Sequence, residues 1–357
     1  MYAYLREAFE VIDEMARENE LVATQCRALI TGYAAEYHDA NSNYEIVEIE
    51  KVYTAPLRNL DPNGRISRKW TLAGKIDKLI KIDGEYHLVD HKTTSLPIAD
   101  PDANYWKSLR IESQPRHYEI LMYSNGVPLR GIVWDVVKKP TTKPLKVTDA
   151  TRANTRNTGL YLGEKVSDST LVELLSIDRE NMEMYYIRLV KEVMENRGKY
   201  FKRKGLALTT DELEQYNRSL WQVSEDMTTT MKRSGKTGVT PYNPSGCMMW
   251  NTPCQYLGIC SHHDDASSEN WQHTSDVHPE LEGEASPHGN RLLLTNSRAK
   301  CFQLCPMKHH FRYVMGLERV HEEVKPALFF GNVWHAAMDA WWAAVSGYER
   351  RDNDSGD

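Results

Sequence analysis

The sequence has no apolar run approaching the ~20 residues of a membrane-spanning helix, so no membrane partner is expected. Its start, Met1-Tyr-Ala-Tyr-Leu-Arg-Glu-Ala-Phe-Glu, lacks the layout of a secretory signal and reads as an amphipathic helix, which makes the cytoplasm the expected compartment. There is no excess of basic charge: the formal net charge is −6. A polyanionic partner would therefore have to meet local clusters, at Arg65 to Lys69, Lys138 to Lys146 and Lys191 to Lys204, each of which also reads as a solvated face. No Gly-x-x-x-x-Gly-Lys-Ser/Thr loop occurs, so any nucleotide-driven motor would be a separate chain. The six cysteines contain no Cys-x₂-Cys pair, which sets aside zinc ribbons and ferredoxin-type runs. In a cytoplasmic chain they argue for reduced thiols or a metal site over a disulfide scaffold.

What is present suits one large or two small domains. Apolar positions recur at helical spacing through Leu5, Phe9, Ile12 and Met15, and again through Val22, Cys26, Leu29, Ile30 and Tyr33. This predicts two helices over 1–39, with Cys26 in the core. Residues 44–53 alternate as a strand, Asp61-Pro-Asn-Gly64 reads as a turn, and another strand starts at Trp70. After a loop at 96–104, a helix is predicted from Ser108 to Tyr123 and a strand over 131–137. Residues 141–165 read as loop and 171–203 as one long helix broken near Gly198. A further helix over 211–233 takes Thr210 as its cap. Residues 234–246 are loop-like. The acidic stretch 263–290 reads as a polar linker and 350–357 as a disordered tail.

The segment Lys78-Leu-Ile-Lys-Ile-Asp-Gly-Glu-Tyr-His87 alternates around Asp83-Gly84, which predicts a β-hairpin with a tight turn. Asp90 and Lys92, two apart on its second strand, leave one face of the sheet, and Asp77 on the partner strand can share a cation with Asp90. Two carboxylates suit Mg²⁺ or Mn²⁺, because hard cations prefer oxygen. A lysine beside them can orient or deprotonate an attacking water, or offset charge developing on a phosphate. Gln114 and Tyr118, four apart, share one helix face. Taken singly, these are also a surface Asp–Lys pair, a surface Gln and a half-buried Tyr.

Together, Gly74-x-x-Asp77, Val89-Asp90-His91-Lys92-Thr93 and Gln114-Pro-Arg-His-Tyr118 resemble the RecB/AddB-like branch of the PD-(D/E)XK nuclease superfamily, which includes CRISPR-adaptation nucleases. The resemblance implies an α/β fold with a mixed central β-sheet flanked by helices, a restriction-endonuclease-like core, and a helical and cysteine-cluster extension. It implies hydrolysis of DNA, as single strands or duplex ends, with Mg²⁺ or Mn²⁺. Asp77, Asp90, Lys92, Gln114 and Tyr118 would be the catalytic set, the last two holding substrate and Lys92. Recombination, repair or phage DNA metabolism would be the setting, with a separate helicase or recombination protein as partner. A catalytically silent DNA-binding or scaffold protein keeping the fold and cysteines is the alternative; intact Asp77, Asp90 and Lys92 argue against it.

Cys247, Cys254 and Cys260 are separated by six and five residues. They resemble the C-terminal cysteine trio of the branch's iron–sulfur members, in which a fourth cysteine from near the domain's start completes a [4Fe–4S] cluster. Free thiols or a structural zinc site are the plainer options. The block resembling that start, Asn296-Ser-Arg298 through Cys305-Pro306 to Gly316-Leu317 and then Phe330-Gly331-x-x-x-His335, lies here at 291–349, downstream of the main nuclease part over 1–262. By resemblance, Cys305 is the fourth cluster ligand, with Cys301 as alternative. His335 joins Asp77, Asp90 and the backbone carbonyl of His91 as metal ligands. The order reads as a circular permutation. A true permutation that completes one site, a partial copy joined to the beginning of a second, and a cut across a circular or repetitive genome all stand open. The pieces are complementary and do not overlap, which favours the first.

Overall fold

Three long strands, β1 (Glu45–Arg58), β2 (Ile66–Ile82) and β3 (Glu85–Thr94), form an antiparallel meander in the computed structural model. The structure describes residues 4–41, 43–61, 64–249, 251–281, 290–321 and 326–347. The β2–β3 turn is Asp83-Gly84, as expected, with φ of 52° and 83°. Positive φ at both central residues makes the turn twist match that of the strands. β4 (Leu129–Lys138) pairs parallel with β3, and β5 (Phe201–Leu206) closes the far edge antiparallel to β4. The sheet is mixed, as predicted.

Trp70 to Ile80 on β2 is buried almost without a break, because helices cover both faces. Neighbouring residues Val136 and Val137 of β4 enter opposite cores. One core holds α1 (Tyr4–Met15), α2 (Glu20–Asn41) and α4 (Met182–Glu195). Cys26 is buried there, as expected. The other face carries α3 (Ser113–Ser124) and α5 (Thr210–Thr237).

The C-terminal segment is built into both layers. β6 (Leu292–Leu294) lies parallel to β2, with Leu292 opposite Trp70 and Leu294 opposite Leu72. α6 (Asn296–Leu304) places Ala299 and Phe302 beside Trp70, Leu72 and Leu121. α7 (Pro326–Ser346) places Val333, Trp334, Met338, Trp341 and Trp342 in the core of α1 and α2. Burying this much apolar surface, roughly 1.5–3 kcal/mol per large side chain, holds 290–321 and 326–347 onto the residues before them.

Several expectations are corrected. The single helix over 108–123 is two, Asn104–Arg110 and Ser113–Ser124. The supposed loop 141–165 contains a helix, Asp149–Thr158, that buries only Thr155 and depends on its ends: the Thr148 side chain accepts from the Thr151 N–H, and Gly159 closes it at φ 69°. The long helix 171–203 is broken into Asp168–Glu173, Met182–Glu195 and Arg197–Tyr200, after which Phe201 to Leu206 becomes strand β5. Its Lys-Arg-Lys run hid the strand, because an edge strand can carry charges in place of an apolar alternation. The cap of α5 is Thr209, not Thr210, in a reciprocal capping box with Glu212. The supposed linker is structured over 263–281: Trp271–His273 pairs with Leu317–Arg319, and Trp271 and Leu281 are buried. Residues 282–289 and the tail 350–357 lie outside the described residues.

Candidate active site

The hairpin register sets Asp77 across from Asp90, since the flanking pairs are Lys78 with Val89 and Leu79 with Leu88. α3 packs over this point because residue 74 is glycine. A Cβ there would sit 3.0 Å from Tyr118 Cε1 and 3.2 Å from Leu121 Cδ2. The close approach lets one helix face reach the strand ends. Lys92 Nζ lies 2.5 Å from Asp90 Oδ2 and donates to Gln114 Oε1 at 2.9 Å. Gln114 Nε2 donates to the Tyr118 hydroxyl at 2.8 Å, and that hydroxyl donates to the Lys75 carbonyl at 2.7 Å. A continuous polar chain thus runs from Asp90 through Lys92, Gln114 and Tyr118 to the β2 backbone. Asp77 is anchored separately, accepting the His91 backbone N–H at 2.7 Å.

His335 reaches the site from α7, its Nδ1 3.7 Å from Asp77 Oδ2. Glu50 completes a trio: ligand atoms of Glu50, Asp77 and His335 all lie within 4.8 Å of one another. Sequence reasoning missed Glu50. It is one acid among several in an alternating strand, and only the pairing of Ile49 with Lys78 and of Lys51 with Ile76 puts it opposite Asp77. Its backbone is left-handed, at φ 50°, a strained conformation for Glu that surrounding packing must hold. Glu50 also pairs with Lys75 at 2.9 Å. The trio departs from the expected metal set. Asp90 is turned to Lys92, and the His91 imidazole, its ring centroid 6.2 Å from that of His335, is engaged elsewhere. That imidazole is buried, with Nδ1 3.3 Å from Asp135 Oδ2 and Nε2 3.5 Å from Lys78 Nζ.

Electrostatics in the cleft are strained toward a cation. Burial pushes the Glu50 carboxyl up to about 7, and the charge of Asp77 adds to it. Burial likewise carries Asp90 up to about 7 although Lys92 opposes the rise. Burial works against Asp77 as well, but His335, Lys92 and the His91 N–H hold its carboxyl below the usual range. Burial would lower Lys92; Asp90 and Asp77 outweigh it and keep the amine above its ordinary value, favouring the ammonium. Carboxylates, an imidazole and room beside them suit Mg²⁺ or Mn²⁺. The cleft is about 360 Å³ and is lined from both ends of the chain: Gly74, Gln114 and Tyr118 on one side, Thr295, Ser297 and Asn332 on the other.

The expected cysteines also come together. Asn243 links their two sources, its N–H donating to Cys305 Sγ at 3.4 Å and its Nδ2 to the Leu304 carbonyl at 2.8 Å. The Cys254 N–H donates to the Cys247 carbonyl at 2.8 Å. Burial raises the Cys260 thiol, and Cys254, Cys247 and Cys305 raise it further, so all four lie in one electrostatic neighbourhood. Cys301 is as buried as Cys305; burial pushes its thiol up to about 11, and Cys305 and Cys254 add to the rise.

A sequence profile of the PD-(D/E)XK nuclease superfamily matches residues 1–261 and 294–356. The chain belongs to that superfamily. The two matched stretches are the ones that meet around the cleft. Membership assigns the general activity, phosphodiester hydrolysis by a nuclease, and the mixed α/β architecture agrees with it. Superfamily nucleases typically use Mg²⁺ or Mn²⁺, and the substrate class is DNA. A search of the curated proteins returned no match. No helix among the described residues is long and apolar enough to cross a membrane.

Proposed function

We propose that this chain is a metal-dependent deoxyribonuclease of the RecB/AddB-like kind, acting as an exonuclease in recombination, repair or phage DNA metabolism. The observation that carries the reading is the unbroken chain from Asp90 through Lys92 and Gln114 to Tyr118 beside Asp77 and His335. Asp77, His335 and Glu50 would hold the ion, and Asp90 and the His91 carbonyl are proposed as further ligands. A divalent cation bound there supplies Lewis acidity toward a phosphate oxygen and lowers the pKa of water. Lys92, kept charged by Asp90 and Asp77, orients the attacking water and offsets charge on the phosphate. Gln114 fixes the lysine, and Tyr118 fixes Gln114.

Cys247, Cys254, Cys260 and Cys305 are proposed to hold a [4Fe–4S] cluster that clasps the two parts of the chain. What supports the clasp, beside the resemblance, is that Asn243 ties Cys305 and Leu304 to the stretch that carries the other three cysteines. Cys305 is preferred over Cys301 because it opens the Cys-Pro pair that carries the resemblance and accepts the Asn243 N–H at 3.4 Å.

The test is digestion of end-labelled single- and double-stranded DNA with Mn²⁺ or Mg²⁺ by the full chain and by Lys92→Ala, His335→Ala and Glu50→Ala. The full chain is expected to cut, Lys92→Ala to be dead, and the other two to need far more metal. The required concentration should rise by at least the roughly 10–100-fold that loss of an outer partner costs. A folded, cluster-loaded chain that never cuts would overturn the reading in favour of a silent binding protein. Full activity in His335→Ala would remove the C-terminal segment from the site.

A further inference from the structure

Away from the cleft, the beginning of β2 and the middle of α5 enclose a larger groove, about 530 Å³. Arg65, Arg68 and Lys69 line one wall and Trp221, Ser224 and Thr228 the other. The walls are tied together by the Trp70 indole N–H, which donates to the Ser224 carbonyl at 3.0 Å and to Thr228 Oγ1 at 2.9 Å.

Its charge is one-sided. Arg65 and Arg68 are exposed, and neither is ion-paired to a carboxylate among the described residues. Burial, together with the cations Lys232 and Arg298, lowers Lys69. Among the described residues, Glu225 is the single acid in the lining. A polyanion in the groove would offset this positive charge. Guanidinium forks match the paired oxygens of a phosphodiester.

The groove and the catalytic cleft lie along the same strand. From Lys69 to Asp77 is eight residues of β2, about 27 Å at ~3.4 Å per residue. Duplex phosphates follow one another at ~3.4 Å along each strand, so that span is about eight nucleotides. We propose that the Arg65–Lys69 groove is a second DNA-backbone site, gripping the substrate about eight nucleotides from the bond in the cleft. This rests on the nuclease reading for the position of the scissile bond, but not for binding itself.

The experiment measures binding of a labelled duplex of about 30 base pairs across roughly 50–200 mM salt. Lys92→Ala is compared with Lys92→Ala carrying Arg65→Gln and Arg68→Gln. Two lost phosphate contacts should make the slope of log K against log salt shallower by about 1.8, and weaken binding roughly 60-fold at 0.1 M. A duplex of about six base pairs is too short to span both sites, so Lys92→Ala should take up two of them and the double Arg variant one. With Lys92 intact, the double Arg variant should cut long DNA more slowly below saturation and short DNA at the normal rate. Equal affinity and equal slope on the long duplex would overturn the proposal even if the protein cuts DNA. A slope difference in a protein that never cuts would uphold the groove while the nuclease reading fell.

Discussion

A single methyl group at Gly74 tests the packing that assembles the cleft. In Gly74→Ala the new Cβ would stand 3.0 Å from Tyr118 Cε1 and 3.2 Å from Leu121 Cδ2. Ordinary carbon contacts are ~3.5–4.0 Å, so about half an ångström must be found. Neither neighbour can yield it easily. Tyr118 is held at its hydroxyl by the Lys75 carbonyl (2.7 Å) and by Gln114 (2.8 Å), and Leu121 is fully buried. The helix α3 must then lift off β2. Overpacking of this kind costs about 1–3 kcal/mol, which urea denaturation reads directly. Gln114 is one turn from Tyr118 on the same helix, so the shift stretches the 2.9 Å Lys92–Gln114 bond toward lengths at which it is lost. Cleavage at saturating DNA and Mn²⁺ should fall with it. Gly84→Ala is the control: its φ of 83° also penalises a side chain, but nothing lies within 4 Å. It should cost about 1–2 kcal/mol and leave the cleavage rate alone. Wild-type stability and rate in Gly74→Ala would refute the reasoning. So would an equal loss of rate in both variants, since the rate would then be following global stability.

Two further outcomes are expected. Glu119 on α3 is raised to about 7 by burial and by Glu212, from an ordinary 4.5, and its Oε2 has no hydrogen-bond partner. The folded state therefore holds this proton more tightly than the unfolded chain, and stability is lost as pH rises from about 4.5 through 7. Glu119→Gln should raise the melting temperature at about pH 8 but not at about pH 4; an equal gain at both would exclude Glu119 as the source. In protein purified without oxygen, Cys305→Ser should lose visible iron–sulfur absorbance while Cys301→Ser and Cys26→Ser keep it. Absorbance retained in Cys305→Ser and lost in Cys301→Ser would exchange the two roles.

The motif residues were legible in the linear sequence because local rules act on them. Asp83-Gly84 demands the turn that sets Asp77 beside Asp90. A two-residue spacing puts Asp90 and Lys92 on one face, and a four-residue spacing aligns Gln114 with Tyr118. Spacing and resemblance likewise singled out His335 and the four cysteines. Other features had no local signal. The helix Asp149–Thr158 depends on its caps and buries only Thr155. Strand β5 carries a Lys-Arg-Lys run, and its strand identity comes from pairing Phe201 with Val137 and Leu206 with Ile132. Glu50 enters the cleft through the register of β1 on β2, and Arg65 and Arg68 through the groove that α5 closes over β2. Above all, the sequence left open whether residues 291–349 serve the same site as Asp77. Where the described part of that segment lies was set by where two large apolar surfaces could be buried. Leu294 and Phe302 fill the core beside Trp70, Trp334 and Trp341 fill the core beside Tyr33, and with both docked His335 comes to rest 3.7 Å from Asp77.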